Sequence, residues 1–213
     1  MAKLRFQVSM SLDGFIAGPN PSEADPLGEG GMQLHEWAFK LAAWRAPHGR
    51  EGGEVNASTP IVEEGLANIG AIVMGRRMFG GGPGPWPESP WEGWWGEEPP
   101  FHAPVFVLTH HSREPLPKQG GTTFFFCDDG IQPALEQAKR AAGGKDVGLA
   151  GGADVAQQYL AAGLIDELQL NVVPVLLGTG TRLFEDSPTD AKLEIAQTIE
   201  APGVTHLKYR VLG

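Results

Sequence analysis

Leu149-Ala150-Gly151-Gly152-Ala153-Asp154 reads as a buried strand that runs into a glycine pair and then directly into a helix. Backbone without side chains lets an anionic group come close. The unpaired amides at the start of a helix, helped by its dipole, can then bind that group. A plain tight turn would use the same residues, so the segment alone leaves both readings open. Met74-Gly75-Arg76-Arg77 also follows a short apolar run. A guanidinium fork binds phosphate through two parallel N–H bonds, and a basic pair at a strand end suits a 2′-phosphate. A solvated surface pair is the alternative. At Thr109-His110-His111 a hydroxyl and an imidazole can complete a phosphate or adenine pocket. Adjacent histidines point in different directions, so no metal site is expected there. The G-x-G-x-x-G fingerprint is missing after the first strand, so this is not an ordinary Rossmann start.

These three places need strands whose carboxyl ends lie side by side, and the hydrophobic pattern supplies them. Residues 3 to 11 alternate, with Leu4, Phe6, Val8 and Met10 on one face, and predict a strand. A turn and a short extended piece follow through Pro19, and residues 20 to 31 read as loop. Leu34, Trp37, Leu41 and Trp44 fall at helical spacing and predict one helix from about Met32 to Trp44. A second helix opens at Thr59-Pro60, with Thr59 as its cap and Gly70 as its end. Ala71-Ile72-Val73-Met74, Val105-Phe106-Val107-Leu108, Thr123 to Cys127 and Asp146 to Ala150 are short apolar strands of the kind buried in parallel sheets. Helices are expected from Asp129 or Gly130 to about Ala142 and from Ala153 to Ala162. Ile165 to Val175 predicts a long strand, and residues 193 to 199 and 204 to 212 a terminal antiparallel pair. The whole is an α/β chain with a mainly parallel central sheet, an antiparallel C-terminal edge and helices on both faces. One domain over residues 1 to 213 is expected.

Composition narrows the function. The formal net charge is −10, which argues against general nucleic-acid binding. No stretch reaches the roughly 20 apolar residues of a membrane span. Met1 to Phe6 reads as the lead into a strand, not as a signal peptide. Cys127 is the sole cysteine, so no intrachain disulfide can form, and a cytoplasmic location is expected. It reads as a small core residue.

The order of motifs adds a resemblance. Val8-Ser9-Met10-Ser11-Leu12-Asp13-Gly14-Phe15-Ile16-Ala17, then Ala71 to Phe79, then Val105 to Thr109, then Gly151-Gly152, then Gly163 to Leu168 and Pro174 to Gly180 follow one another. Together they resemble the dihydrofolate-reductase-like superfamily, above all the reductase domain of the bifunctional riboflavin-biosynthesis deaminase-reductase and its stand-alone relatives. The resemblance implies a dihydrofolate-reductase-like fold, NADPH as hydride donor, a small-molecule substrate and often a homodimer. It implies that Gly151, Gly152, Ala153 and Asp154 cradle the pyrophosphate through their amides. Gly75, Arg76 and Arg77 would serve the phosphates, with one arginine and Thr109 near the 2′-phosphate, and His110 and Val155 would also bind the cofactor. Ser9, and the Asp13 to Ala17 segment including Ile16 and Ala17, would flank the nicotinamide.

The catalytic acid is harder to read. Asp13 and His35 are the candidates for proton supply, and Asp13 can equally be a turn residue bonding its own backbone. The Pro-Trp entry and following acid of the folate enzymes are not found near residues 20 to 34, so folate is not the favoured substrate. The reading is an NADPH-dependent reductase of a small planar or heterocyclic molecule, pterin-like or like a riboflavin precursor. Its alternatives are an NADP(H)-binding protein without turnover and a dihydrofolate reductase. Trp86, Trp91, Trp94 and Trp95 lie in a Gly/Pro-rich stretch. They can form a lid, pack a dimer interface or anchor a long loop.

Overall fold

Strand β1 spans Leu4–Ser11 in the computed structural model, which describes residues 2–22, 24–184 and 190–212. Met1, at the head of the expected lead into this strand, lies outside them. The other strands are β2 (Phe15–Ala17), β3 (Ile69–Gly75), β4 (Pro104–Leu108), β5 (Leu116–Pro117), β6 (Thr123–Cys127), β7 (Asp146–Gly151), β8 (Glu167–Val173), β9 (Thr181–Arg182), β10 (Lys192–Ala201) and β11 (Val204–Leu212). The α-helices are α1 (Glu36–Phe39), α2 (Ala42–Arg45), α3 (Thr59–Leu66), α4 (Arg76–Phe79), α5 (Ile131–Ala141) and α6 (Ala153–Ala161). The chain divides into two compact units, the first from residues 1–6 and 68–165, the second from 7–67 and 166–213.

The strands of the first unit follow the order β1–β7–β3–β4–β6–β5. All pairings are parallel except β5 with β6. Its interior strands are apolar runs because both faces are covered. Met74, Phe79, Val105, Val107, Phe124 and Phe126 form one core cluster, with Trp86, Trp91 and Trp95 packed against it. In the second unit the order is β10–β11–β8–β1, with β8, β11 and β10 antiparallel. Leu34, Trp37, Ala38, Leu41, Val62, Val173 and Val204 make its core. A short ribbon of β2 and β9 completes it. The expected mixed sheet, mainly parallel with an antiparallel C-terminal part, is present.

Several boundaries differ from expectation for local reasons. The single helix expected over Met32 to Trp44 is broken into a 3-10 turn, Gly31–Leu34, followed by α1 and α2. Leu41 is extended, with φ −78° and ψ 137°. Around it, Glu54 N donates to the Lys40 carbonyl and Ala42 N donates to the Glu54 carbonyl. That pairing outcompetes one helical turn, while Leu34, Trp37 and Leu41 stay buried as their spacing implies. Thr59 is the first residue of α3, and no side chain caps that helix. Gly70 does not end it: α3 stops at Leu66, Asn68 makes the left-handed turn at φ 60°, and Gly70 already belongs to β3. A Cβ on Gly70 would lie 2.5 Å from the Ala142 carbonyl oxygen, so close packing explains that glycine. The strands β2, β5 and β9 are too short for any periodicity to announce them. Among the described residues no helix is long and apolar enough to cross a membrane.

Candidate functional site

In the first unit the three strand ends singled out by sequence lie side by side. Met74 pairs with Gly151, Gly75 with Leu108, and Leu108 with Cys127. Ligands of open α/β sheets bind along such a carboxyl edge. Gly75 must be bare: a Cβ there would lie 2.7 Å from Val155 Cγ2. The end of β3 therefore sits directly against the first turn of α6. Gly151 has φ 122°, a region that favours glycine, and the Gly151–Gly152 peptide is cis. Gly152 is the N-cap of α6, no side chain caps the helix, and a Cβ on Gly152 would meet nothing within 4 Å. The first helical bond runs from Ala156 N to the Gly152 carbonyl, so the amides of Ala153, Asp154 and Val155 precede the helical ladder. These amides are bounded by backbone, and the space in front of Gly152 is open.

The arginines differ from each other. The Arg77 side chain is 85% exposed, and its Nη1 lies 2.8 Å from Asp154 Oδ2, so its charge is already balanced by the acid in the first turn of α6. Arg76 is half-buried and braces the chain beyond it. Its Nε and Nη2 donate to the carbonyls of Gly80 and Gly81, and its Nη1 donates to Thr109 Oγ1. The Thr109 hydroxyl accepts that bond, accepts another from His111 N and donates to the His111 carbonyl. It holds the turn after β4 and has little capacity left for a ligand. His110 and His111 are exposed and, with Trp86, Ser112, Arg113 and Asp128, line an open pocket of about 440 Å³. Among the described residues no group of acids, histidines and cysteines could hold a metal ion.

The tryptophan-rich segment is anchored to the first unit. Trp86, Trp91 and Trp94 donate their indole N–H to the carbonyls of His111, Phe79 and Met78. Trp95 stacks on Phe124, and Lys118 holds Glu92 and Glu97. Gly80, at φ 90°, would place a Cβ 2.8 Å from Trp91 Nε1 and from Trp94 Cζ2. Of the three roles open for this segment, anchoring is the one these contacts support. Cys127 is buried, and desolvation, then the charges of Asp129 and Asp128, push its thiol up to about 11.

The second unit holds Ser9, Asp13, Ile16, Ala17 and His35. The Asp13 carboxylate accepts from Ser11 Oγ at 2.6 Å, from Leu177 N at 3.1 Å and from Gly178 N at 2.7 Å. The Ser11 hydroxyl first, and then the two amides, hold its pKa down to about 2. Asp13 thus ties the turn after β1 to the loop after β8. Ionised at neutral pH, it has no proton to give, which counts against the acid role expected of it. His35 stacks on Phe39, and burial lowers its pKa, so its imidazole is neutral at pH 7. Ser9 is buried and accepts from Trp37 Nε1. Ile16 and Ala17 are half-buried on β2.

A buried polar network in the same unit escaped the sequence reading. His206 Nδ1 bonds Asn171 Oδ1 and its Nε2 bonds Ser58 Oγ, each at 2.8 Å. Gln169 Nε2 donates to the same Asn171 oxygen. The His206 ring meets the Trp37 ring edge-on at 5.0 Å, and burial brings its pKa down to about 4. Nothing near His206 in the sequence marks it, because its partners lie on other elements. Ser112, Arg113 and Asp128, which line the open pocket with the two histidines, belong to no motif that would single them out in the sequence.

Comparison with known proteins gives a family. Residues 2–207 match the model of the RibD C-terminal domain. The uncharacterized protein YyaP of Bacillus subtilis (strain 168) is 34% identical over 159 residues, 70% of this chain and 77% of that protein. A candidate riboflavin biosynthesis protein from Shewanella sp. PV-4 is similar in structure, with a TM-score of 0.62, 20% identity and 100% of both chains covered. Dihydrofolate reductase from Enterococcus faecalis, complexed with NADP(H), superimposes with a TM-score of 0.53 at 12% identity, covering 99% of this chain and 97% of that one. The fold is dihydrofolate-reductase-like.

Proposed function

The chain belongs to the RibD C-terminal domain family, a family of reductases, and from that premise we propose that it is an NADPH-dependent oxidoreductase acting on a small planar heterocycle, pterin-like or like a riboflavin precursor. One observation carries the cofactor half of this reading. The bare end of β3 lies against the uncapped start of α6, so backbone amides and glycines converge where a pyrophosphate would sit. When bound, NADPH supplies a hydride.

The chain's own residues do the rest. The amides of Gly152, Ala153, Asp154 and Val155 hold the pyrophosphate, Gly75 lets α6 pack against β3, and Gly152 leaves the approach open. Arg77 neutralises Asp154, an acid that would otherwise repel phosphate at that helix end. Arg76 and Thr109 shape the turn that carries His110 toward the adenosine. Ser9, Ile16 and Ala17 flank the nicotinamide, as the resemblance implies. Asp13 sets the shape of its loop as a permanent anion. An ordered water supplies the proton, and His35, whose burial favours the neutral ring, would relay it, taking up a proton at its free ring nitrogen as its ring N–H is given up. The whole chain acts as one reductase domain, in the cytoplasm and as a homodimer. The exposed Leu193 and Ile195 of the long strand β10 support the dimer.

Titration of the purified protein with NADPH, followed by nicotinamide fluorescence, tests the cofactor. No binding at millimolar concentration refutes it. NADPH oxidation across pterins, dihydrofolate, flavin precursors, quinones and aldehydes then tests turnover. A second reading, nucleotide binding without turnover, is favoured by the locked Asp13 carboxylate. Tight NADPH binding with no oxidation across that panel would establish it.

A further inference from the structure

Three stretches of chain meet at one end of the second unit. Leu12 N donates to the Val175 carbonyl at 2.9 Å, and Leu183 N donates to the Gly14 carbonyl at 3.0 Å. The Asp13 carboxylate accepts from the amides of Leu177 and Gly178. Gly30, at φ 74°, would bring a Cβ to 3.4 Å from Leu177 Cδ2, so the turn that leads into Met32 lies against the same loop. Each stretch carries a large apolar side chain open to water. Leu12 is 66% exposed, Leu176 72%, Met32 50% and Phe184 45%. Single exposed leucines are ordinary on a protein surface, but four such side chains on stretches tied to one turn are not. That turn begins the Asp13 to Ala17 segment, which is proposed above to flank the nicotinamide.

Charge decides what can lie there. Residues 12–35 hold no lysine or arginine, but they hold Asp13, Glu23, Asp25 and Glu29. Residues 174–184 hold one cation, Arg182. Arg182 is the opposing group: it is exposed, its Nη1 donates to the Asp13 carbonyl at 3.0 Å, and its guanidinium lies 4.3 Å from the centroid of the Phe15 ring. His35 adds no charge at pH 7, because burial lowers its pKa. A phosphate brought to this end therefore meets Asp13 as a fixed anion, with Arg182 alone to balance both. An uncharged apolar group meets no such opposition, and it removes leucine surface from water.

We propose that this end of the second unit takes an uncharged, apolar substituent of the substrate ring, and that Leu12 and Leu176 set a preference for unphosphorylated over phosphorylated heterocycles. The inference rests on the reductase reading above. Its test is calorimetric titration of the purified chain, saturated with NADP+, against two ring systems. One is lumiflavin, riboflavin and riboflavin 5′-phosphate; the other is 6-methyl-7,8-dihydropterin, 7,8-dihydroneopterin and its 3′-phosphate. Each set keeps one ring and ends in a methyl, a polyol or a phosphorylated polyol. In a ring system that binds, the methyl member should bind about tenfold or more tightly than the phosphorylated one. Leu12→Ser and Leu176→Ser, at exposed positions, should each keep the melting midpoint, weaken the methyl member roughly fivefold to tenfold and leave the phosphorylated one within about twofold. Leu176→Lys should narrow the gap between the two by about tenfold. Leu66→Ser, at the exposed end of α3, should change neither. Four results would overturn the inference: a phosphorylated member that binds as tightly as its methyl relative, no member bound at millimolar concentration, the same weakening in Leu66→Ser, or unchanged binding in Leu12→Ser with Leu176→Ser while a dimer dissociates. The last would show that a second copy of the chain covers these side chains. Failure of NADP+ itself to bind would instead refute the reductase reading, and this inference with it.

Discussion

Replacing Gly75 by alanine isolates the contact on which the proposed cofactor cradle depends. The backbone there has φ −82° and ψ 155°, which any residue adopts, so no conformational penalty confuses the result. The added Cβ would lie 2.7 Å from Val155 Cγ2, 3.6 Å from Gly152 N and 3.7 Å from the Gly151 carbonyl oxygen. Carbon atoms in contact sit about 3.5–4.0 Å apart, so β3 and α6 must separate by roughly 1 Å. Overpacking of this kind costs about 1–3 kcal/mol. At about 2–4 °C per kcal/mol for a chain of this size, the melting midpoint should fall by about 2–12 °C. NADPH affinity should fall further, because the displaced turn carries the amides of Ala153 and Val155. Val155→Ala removes the clashing methyl and should cost roughly 1–2 kcal/mol alone. Gly75→Ala with Val155→Ala should then be more stable than the sum of the single effects by about 1 kcal/mol or more. The assays are thermal melts and NADPH titration of all four proteins. A Gly75→Ala protein that melts within 1 °C of the parent (about 0.3 kcal/mol), or strictly additive effects in the double variant, would refute the reasoning.

The buried His206 makes the second unit sensitive to acid. Its pKa is depressed from 6.5 to about 4, so the unfolded chain binds the proton first, and stability is complete above pH 6.5 and lost as pH falls toward 4. The shift corresponds to about 3 kcal/mol at most. Urea midpoints should therefore decline across that window, and the decline should shrink in His206→Asn, in which an amide N–H can replace the ring donor; an unchanged slope would remove His206 as the cause. Asp13, depressed to about 2, stays ionised above pH 4 and should put no inflection in the activity profile there. In Asp13→Asn the amides of Leu177 and Gly178 should exchange hydrogen faster, and unaltered exchange would contradict the bracing role. Cys127, buried and raised to about 11, should resist thiol reagents at pH 8 until the protein unfolds; rapid labelling of the native chain would contradict its burial.

The central strands were legible because their apolar runs are bounded by glycine, proline and polar residues that stop them. Thr123 to Cys127 is an instance where the expected and observed bounds coincide. The glycine pair at 151 and 152 was legible for a different reason: a strand and a helix meet with nothing between them. What sequence could not give was which polar groups are already in use. Thr109 and Arg76 looked available for phosphate and prove to be engaged with one another. Arg113, which no motif marks, is stacked between aromatic rings. Such pairings join residues 13 or more apart and leave no local pattern. The break at Leu41 has the same origin, since its cause is Glu54 on a neighbouring stretch of chain.

The division of the chain also sets an order of assembly. The first unit is nearly continuous, residues 68–165 with a short N-terminal piece, whereas the second is built from 7–67 and 166–213. Leu34, Trp37 and Val62 share their core with Val204, and His206 supplies the partner of Ser58. During synthesis, residues 7–67 must therefore wait for β8 and β11 before their apolar side chains are covered. At about 5–20 residues per second that delay is on the order of ten seconds. The first unit can close in the meantime, so the early segment, not the tryptophan-rich one, is the stretch whose apolar side chains stay uncovered longest.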